Sequence, residues 1–341
     1  MKGKGLKELD STAFRCNNEH DFPPWGIGLH VKGEKMFQLI SIQIIKMFLL
    51  MMVGVICSKC GLIDSQGNRT LSNILLMLIN PLLLVNAFLQ EFDSGIMPAL
   101  LITALVCVLT HVIAIPLAHF AIREKGNPDY SVERFSAVYS NCGFIGIPLV
   151  NSLFGSKGIM LVSVYLMVFN VITWTHGLIL ITGDTSLKQI KKGLLSPVVI
   201  GALTGLCIFL FHIPVHPILK DTIAYISDMN TPMAMIIAGV SLADTDILKA
   251  LKSRGIYLVI ALKLLVIPVI LTLVLSLLPG EPYIYMTALV LAACPTAASC
   301  TMFAIRFNKN HLYASEIFAL TTVASMVTIP LIVLLGEQLI R

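Results

Sequence analysis

Past residue 35 the chain is a succession of apolar runs, most close to the roughly 20 residues that carry a helix across a bilayer, joined by short polar stretches. Ten such runs can be counted, at about 37–57, 71–90, 96–120, 131–154, 158–181, 195–213, 217–242, 255–278, 283–304 and 312–338. None of the joints is long enough to hold a soluble domain. The pattern predicts an all-α polytopic membrane protein with ten transmembrane helices. Residues 1–35 differ from the rest: they are polar, contain Phe22-Pro23-Pro24-Trp25, and lack the apolar core of a signal peptide. They are read as a disordered or foreign leader and set apart from the fold.

The fourth run carries the most informative break. Asn141-Cys142-Gly143-Phe144-Ile145-Gly146-Ile147-Pro148 puts two glycines and a proline inside a predicted span. Glycine loosens a helix, and proline deletes a donor and clashes with the preceding turn. Unpaired backbone at membrane depth survives only where protein buries it or a watery cavity receives it. A similar break falls at Cys294-Pro295-Thr296 in the ninth run.

The prolines expose an internal repeat. Pro81 and Pro232 are 151 residues apart, Pro116 and Pro268 are 152 apart, and Pro148 and Pro295 are 147 apart. Each half (36–182 and 195–341, joined by a cytoplasmic linker at 183–194) then holds five spans. An odd number inverts the second copy, giving two inverted five-helix repeats whose broken helices, spans four and nine, cross near the midplane. That is the plan of secondary transporters, which bind their substrate between paired discontinuous helices.

Composition agrees with a membrane setting: 56% of the 341 residues are hydrophobic, 13% are charged, and mean hydropathy is +0.86. The formal charge of +5 matters through its distribution. Alternate loops beginning after the first span hold thirteen Lys and Arg, from Lys59 to Lys309, against Lys157, Lys220 and Arg341 on the other side. Positive residues stay in the cytoplasm, so both ends of the ten-helix core are expected outside a cell membrane. The eight cysteines mostly lie in apolar runs, and the lone Cys57-Ser58-Lys59-Cys60 has no second pair. No metal, cofactor or nucleic-acid partner is expected, and the absence of HExxH, GxSxG or a buried aspartate pair argues against an enzyme.

A helix that restarts at mid-membrane points free N–H groups and partial positive charge at whatever lies before it, which suits a carboxylate. The expected anion site is Asn141, Cys142, Gly143, Gly146 and Pro148 from the first break, with Cys294, Pro295, Thr296 and Ser299 from the second. Thr301 adds a further hydroxyl. These hydroxyls either face the substrate or back-bond to their own helices. Ionisable residues inside spans are costly. Lys46 and Lys263 are expected to snorkel. His111 either donates to a neighbouring carbonyl or carries a proton, and His176 is a lesser candidate. Asn80, Asp228 and Asn230 precede the kinks at Pro81 and Pro232, where they line a cavity or cap freed carbonyls.

Asn141-Cys142-Gly143-Phe144-Ile145-Gly146-Ile147-Pro148-Leu149, with Leu153-Phe154-Gly155, resembles the auxin efflux carrier family, which includes bacterial malonate and malate permeases and plant PIN-type carriers. The likeness continues through Ser196 to Gly201, Thr231 to Leu242, Cys294 to Ala298, and Ala314 to Pro330. It implies crossover helices four and nine, a scaffold of helices one, two, six and seven, elevator-like movement of the rest, a homodimer, and a carboxylate substrate. The short joint between spans five and six fits the bacterial type, and the cysteine at 294 stands where plant carriers place an asparagine. The reading is a secondary transporter of small mono- or dicarboxylates by alternating access, with proton or sodium coupling left open. Its rivals are a sodium-coupled carrier of larger organic anions and a transporter-like membrane sensor.

Overall fold

A computed structural model describes residues 33–89, 95–183, 195, 197–243, 245 and 250–340. The residues before 33 and between 184 and 194, which include nearly all of the leader and the linker, lie outside them. Within the described residues the regular structure is helical, and the extended backbone pairs at a single isolated bridge. The helices are α1 (Gly33–Lys59), α2 (Ser65–Ala87), α3 (Ile96–Ala121), α4 (Tyr130–Val138), α5 (Cys142–Thr182), α6 (Pro197–Leu210), α7 (Pro217–Asp228), α8 (Asn230–Ala243), α9 (Arg254–Leu275), α10 (Pro282–Ala293), α11 (Ser299–Arg306) and α12 (His311–Leu339). Six of these, α1, α2, α3, α5, α9 and α12, are long and apolar enough to cross a membrane, and α6 and α10 are shorter apolar helices.

The difference from the ten expected spans has physical causes. Spans four, seven and nine are interrupted, so each is built from shorter pieces. Spans four and five, by contrast, run together as α5. At 41 residues, a straight α5 would measure about 60 Å, twice the hydrocarbon thickness. It does not run straight, because Gly155 leaves helical geometry with φ 57° and ψ −149°. A Cβ on Gly158 would sit 3.2 Å from the Val150 carbonyl oxygen, whereas residues eight apart in a straight helix stand about 12 Å apart. The chain therefore doubles back at Gly155, where only glycine takes the positive φ without strain.

Lipid-facing and buried surfaces are distinguished by where polarity goes. On α3 the exposed stripe is Leu101, Leu105, Val108 and Val112, while Thr103, Thr110 and His111 are buried. That reverses the soluble rule and matches a helix whose outer solvent is hydrocarbon.

Two groups of helices follow from the packing. In one, α1 lies along α8, and α2 packs on α6 and α7. Paired glycines permit the approach: a Cβ on Gly239 would overlap the Met51 carbonyl oxygen, and one on Gly54 the Ile236 carbonyl. A Cβ on Gly201 would lie 2.6 Å from the Pro81 carbonyl oxygen. Small residues at these crossings let backbones touch, which gives dispersion contact that lipid does not replace. The second group gathers α3, α4, α5, α9, α10, α11 and α12.

Several helices widen by one residue per turn. Such π turns span 75–79, 142–146, 173–177 and 262–266. Three of them end two residues before a proline, at Pro81, Pro148 and Pro268. The ring cannot donate and would clash with the carbonyl four residues back, and the wider turn makes room for it.

Candidate functional site

Both interrupted helices stop at the same place in space. α4 ends at Val138, Tyr139 turns extended, Ser140 forms a bridge, and α5 begins at Cys142; α10 ends at Ala293 and α11 begins at Ser299. The two gaps pair antiparallel at Ser140 and Thr296. The Asn141 N–H donates to the Pro295 carbonyl at 2.7 Å, and the Ala297 N–H donates to the Tyr139 carbonyl at 2.9 Å. Backbone that proline and glycine free from the helices is thus satisfied by the other break. Gly146 allows the close approach, since a Cβ there would lie 2.6 Å from Leu291 and 3.4 Å from the Cys294 sulfur.

Side chains at the breaks divide into those already partnered and those left open. Thr296 is fully buried: its hydroxyl donates to the Ser136 carbonyl at 3.0 Å, and its N–H donates to Thr321 Oγ1 at 3.3 Å. The Cys142 thiol donates to the Leu291 carbonyl at 3.6 Å and the Cys294 thiol to the Val290 carbonyl at 3.2 Å. Asn141 differs. It heads α5 without capping it, it is only 4% exposed, and its Nδ2 has no partner. By the geometry of a helix start, the N–H groups of Cys142, Gly143 and Phe144 lack acceptors within the helix. Ser299 begins α11 half-buried, and Pro148 is buried in the first turn after the π turn.

The asparagines of the first helix group reach the same region. Asn230 Nδ2 donates to Asn80 Oδ1 at 2.5 Å, and both residues are buried. A Cβ on Gly143 would stand 3.6 Å from Asn80 Nδ2, and Asn230 Oδ1 has no partner. An unpaired acceptor and an unpaired donor are therefore both buried here, where each, left without a partner, costs free energy on the order of 1–3 kcal/mol. Asp228, one turn away, is exposed at the end of α7 and is not brought into this cluster.

A cavity of about 610 Å³ opens between the two helix groups. Phe144 and Ala298, one from each break, reach its wall, as do Arg69, Asn68, Ser241, Thr301 and His311. Asn68 Nδ2 donates to Ser241 Oγ at 3.0 Å along that wall.

The two lysines of the spans sit differently from one another. Lys46 is exposed, as a snorkelling side chain would be. Lys263 is not: it is 1% exposed and its Nζ reaches Ser140 Oγ and the carbonyls of Val138 and Ala292 where the two breaks meet. A lysine in an apolar run reads alike whether its stem leads outward or inward. The one cue in the sequence was its place five residues before Pro268, where the structure has a π turn. His111 Nδ1 donates to the Cys107 carbonyl at 2.7 Å, one turn back in its own helix, with its ring 5.8 Å from Tyr139. His176 pairs with the Tyr139 hydroxyl at 2.8 Å.

Comparison with known sequences fits this geometry. The profile of the membrane transport protein family matches twice, over residues 39–190 and 182–333. The chain belongs to the membrane transport protein family. That family includes auxin efflux carriers. This membrane transport protein is also 23% identical, over 292 residues, to an uncharacterized transporter of Methanothermobacter thermautotrophicus, covering 84% of this chain and 95% of the relative. It is a multi-pass membrane protein with a transported substrate.

Proposed function

We propose that this chain is a secondary transporter of small organic anions, mono- or dicarboxylates, that works by alternating access about the crossing of its two interrupted helices. On this reading it makes ten passes in two inverted repeats, with α4 and the first limb of α5 forming pass four and α10 with α11 forming pass nine. The two matches of the family profile and the recurring prolines support the repeat. The observation that carries the reading is the buried, unpaired Nδ2 of Asn141 at the start of a half-helix that faces the other break. Hydrogen-bond donors and a helix N-terminus with no internal acceptor select an acceptor-rich, negative ligand.

The scaffold is α1, α2, α6, α7 and α8, and the other helices move against it. The cavity beside Phe144 and Ala298 is the entry path, and its Arg69 and His311 lie in segments that the charge distribution assigns to the cytoplasm. The substrate-binding set is Asn141 with the amides of Cys142, Gly143 and Phe144, supported by Asn80 and Asn230. Thr296, Cys142 and Cys294, with their polar groups engaged, hold the crossing rather than the anion. A homodimer is the assembly that the family resemblance implies.

Uptake of labelled short-chain carboxylates into proteoliposomes tests the proposal. Asn141→Ala should lower uptake of the accepted substrate at least tenfold, which corresponds to about 1.4 kcal/mol of lost interaction, at unchanged protein per vesicle. Equal uptake by the variant would remove Asn141 from the site.

A further inference from the structure

The crossing has two electrical ends, and Lys263 occupies one of them. The second half-helices present their N-termini, which suit an anion. The first half-helices, α4 and α10, present their C-termini, whose last carbonyls carry partial negative charge. Lys263 Nζ donates to Val138 O at 3.4 Å, the last residue of α4, and to Ala292 O at 3.3 Å, in the final turn of α10. Its third donor goes to Ser140 Oγ, which itself donates to the Ala292 carbonyl at 3.2 Å. An ammonium has three donors, and all three are used. Every partner is a neutral oxygen.

Two main-chain carbonyls at half-helix ends and one hydroxyl make an oxygen set of the sort that holds a coupling cation in carriers built on interrupted helices. Here the side chain of α9 fills it. We propose that Lys263 is a tethered cation standing where a coupling sodium ion would bind, so that the crossing is charge-compensated without sodium. The stem enters from α9, which packs with α4 in the moving group, so the charge travels with the crossing. A monocarboxylate bound at the N-termini of the second half-helices then makes the loaded crossing neutral overall, which lowers the cost of moving it through hydrocarbon. This argues against the sodium-coupled rival and names sodium independence as a property of the site. Lys263 acts as a positioning residue through the backbone it holds.

The proposal rests on the transporter reading, but its test uses no organic acid, so failure of carboxylate binding leaves the result readable. The purified protein is melted in sodium chloride and in choline chloride at equal ionic strength. The wild type should melt at the same temperature in both. Lys263→Ala vacates the oxygen set; it should melt several degrees lower in choline and recover most of that loss in sodium or ethylammonium chloride. Lys263→Met, which restores volume without charge, should melt alike in all three salts. A purely packing role would be rescued by methionine and indifferent to small cations. A wild type stabilised by sodium, or a Lys263→Ala protein that neither cation restores relative to choline, overturns the proposal. The wild-type comparison stands alone if Lys263→Ala does not fold.

Discussion

The two breaks share a backbone plan and differ in their side chains. Each replaces helical hydrogen bonds with bonds to the other, through Asn141 N–H to Pro295 and Ala297 N–H to Tyr139. At the second break the fully buried polar groups are engaged: Thr296 bonds Ser136 and Thr321, and the Cys294 thiol bonds Val290. At the first, Asn141 Nδ2 is buried and without a partner. One break is built as a support and the other keeps a donor in reserve. Two breaks with one backbone plan can thus carry different polar chemistry, because pairing of the backbone is settled by glycine and proline while the free polar groups depend on single side chains.

Variants at the two breaks test that division, from the largest expected effect to the smallest. Gly146→Leu would force a side chain into Leu291 and Cys294. It should cost about 3 kcal/mol, as overpacking does, and lower both melting temperature and uptake. Asn141→Ala removes a donor that has no internal partner. It should leave the melting temperature within a degree or two of wild type while uptake falls about tenfold, or about 1.4 kcal/mol. Thr296→Val should show the reverse split. It loses the hydroxyl bond to Ser136 and should cost about 1 kcal/mol of stability, read as a lower melting temperature, with uptake per folded molecule largely kept. If Thr296→Val abolished uptake at full stability, the second break would be a ligand site and the contrast would fail. His111→Gln should leave the pH dependence of uptake unaltered, because the ring is committed to the Cys107 carbonyl; a changed pH profile would make it a proton carrier.

Much of this arrangement can be read from the chain before its fold is known. Gly143, Gly146, Pro148 and Pro295 mark both interruptions, because those residues disrupt helices through backbone chemistry alone. The polar residues ahead of Pro81 and Pro232 mark a second feature, though not the pairing of Asn80 with Asn230 across the repeat. Other properties depend on three-dimensional neighbours. Whether Thr296 faces a ligand or a carbonyl is decided by Ser136, 160 positions away. Lys263 looks like any snorkelling lysine until α4 and α10 are placed beside it. The count of long spans differs for a simpler reason: an interrupted apolar run is made of short helices, and a reversal at Gly155 joins two predicted runs into one helix.

The donor held open at Asn141 is tested most directly by ligand-induced stabilisation. Purified wild type and Asn141→Ala are melted against a panel of short mono- and dicarboxylates, where a ligand at a hundred times its Kd adds about 2.7 kcal/mol to a folded state that binds it. At least one carboxylate should raise the melting temperature of the wild type and raise that of Asn141→Ala by about half as much or less. The same rise in both proteins would contradict the account, since the anion would then be held without the first break's free amide.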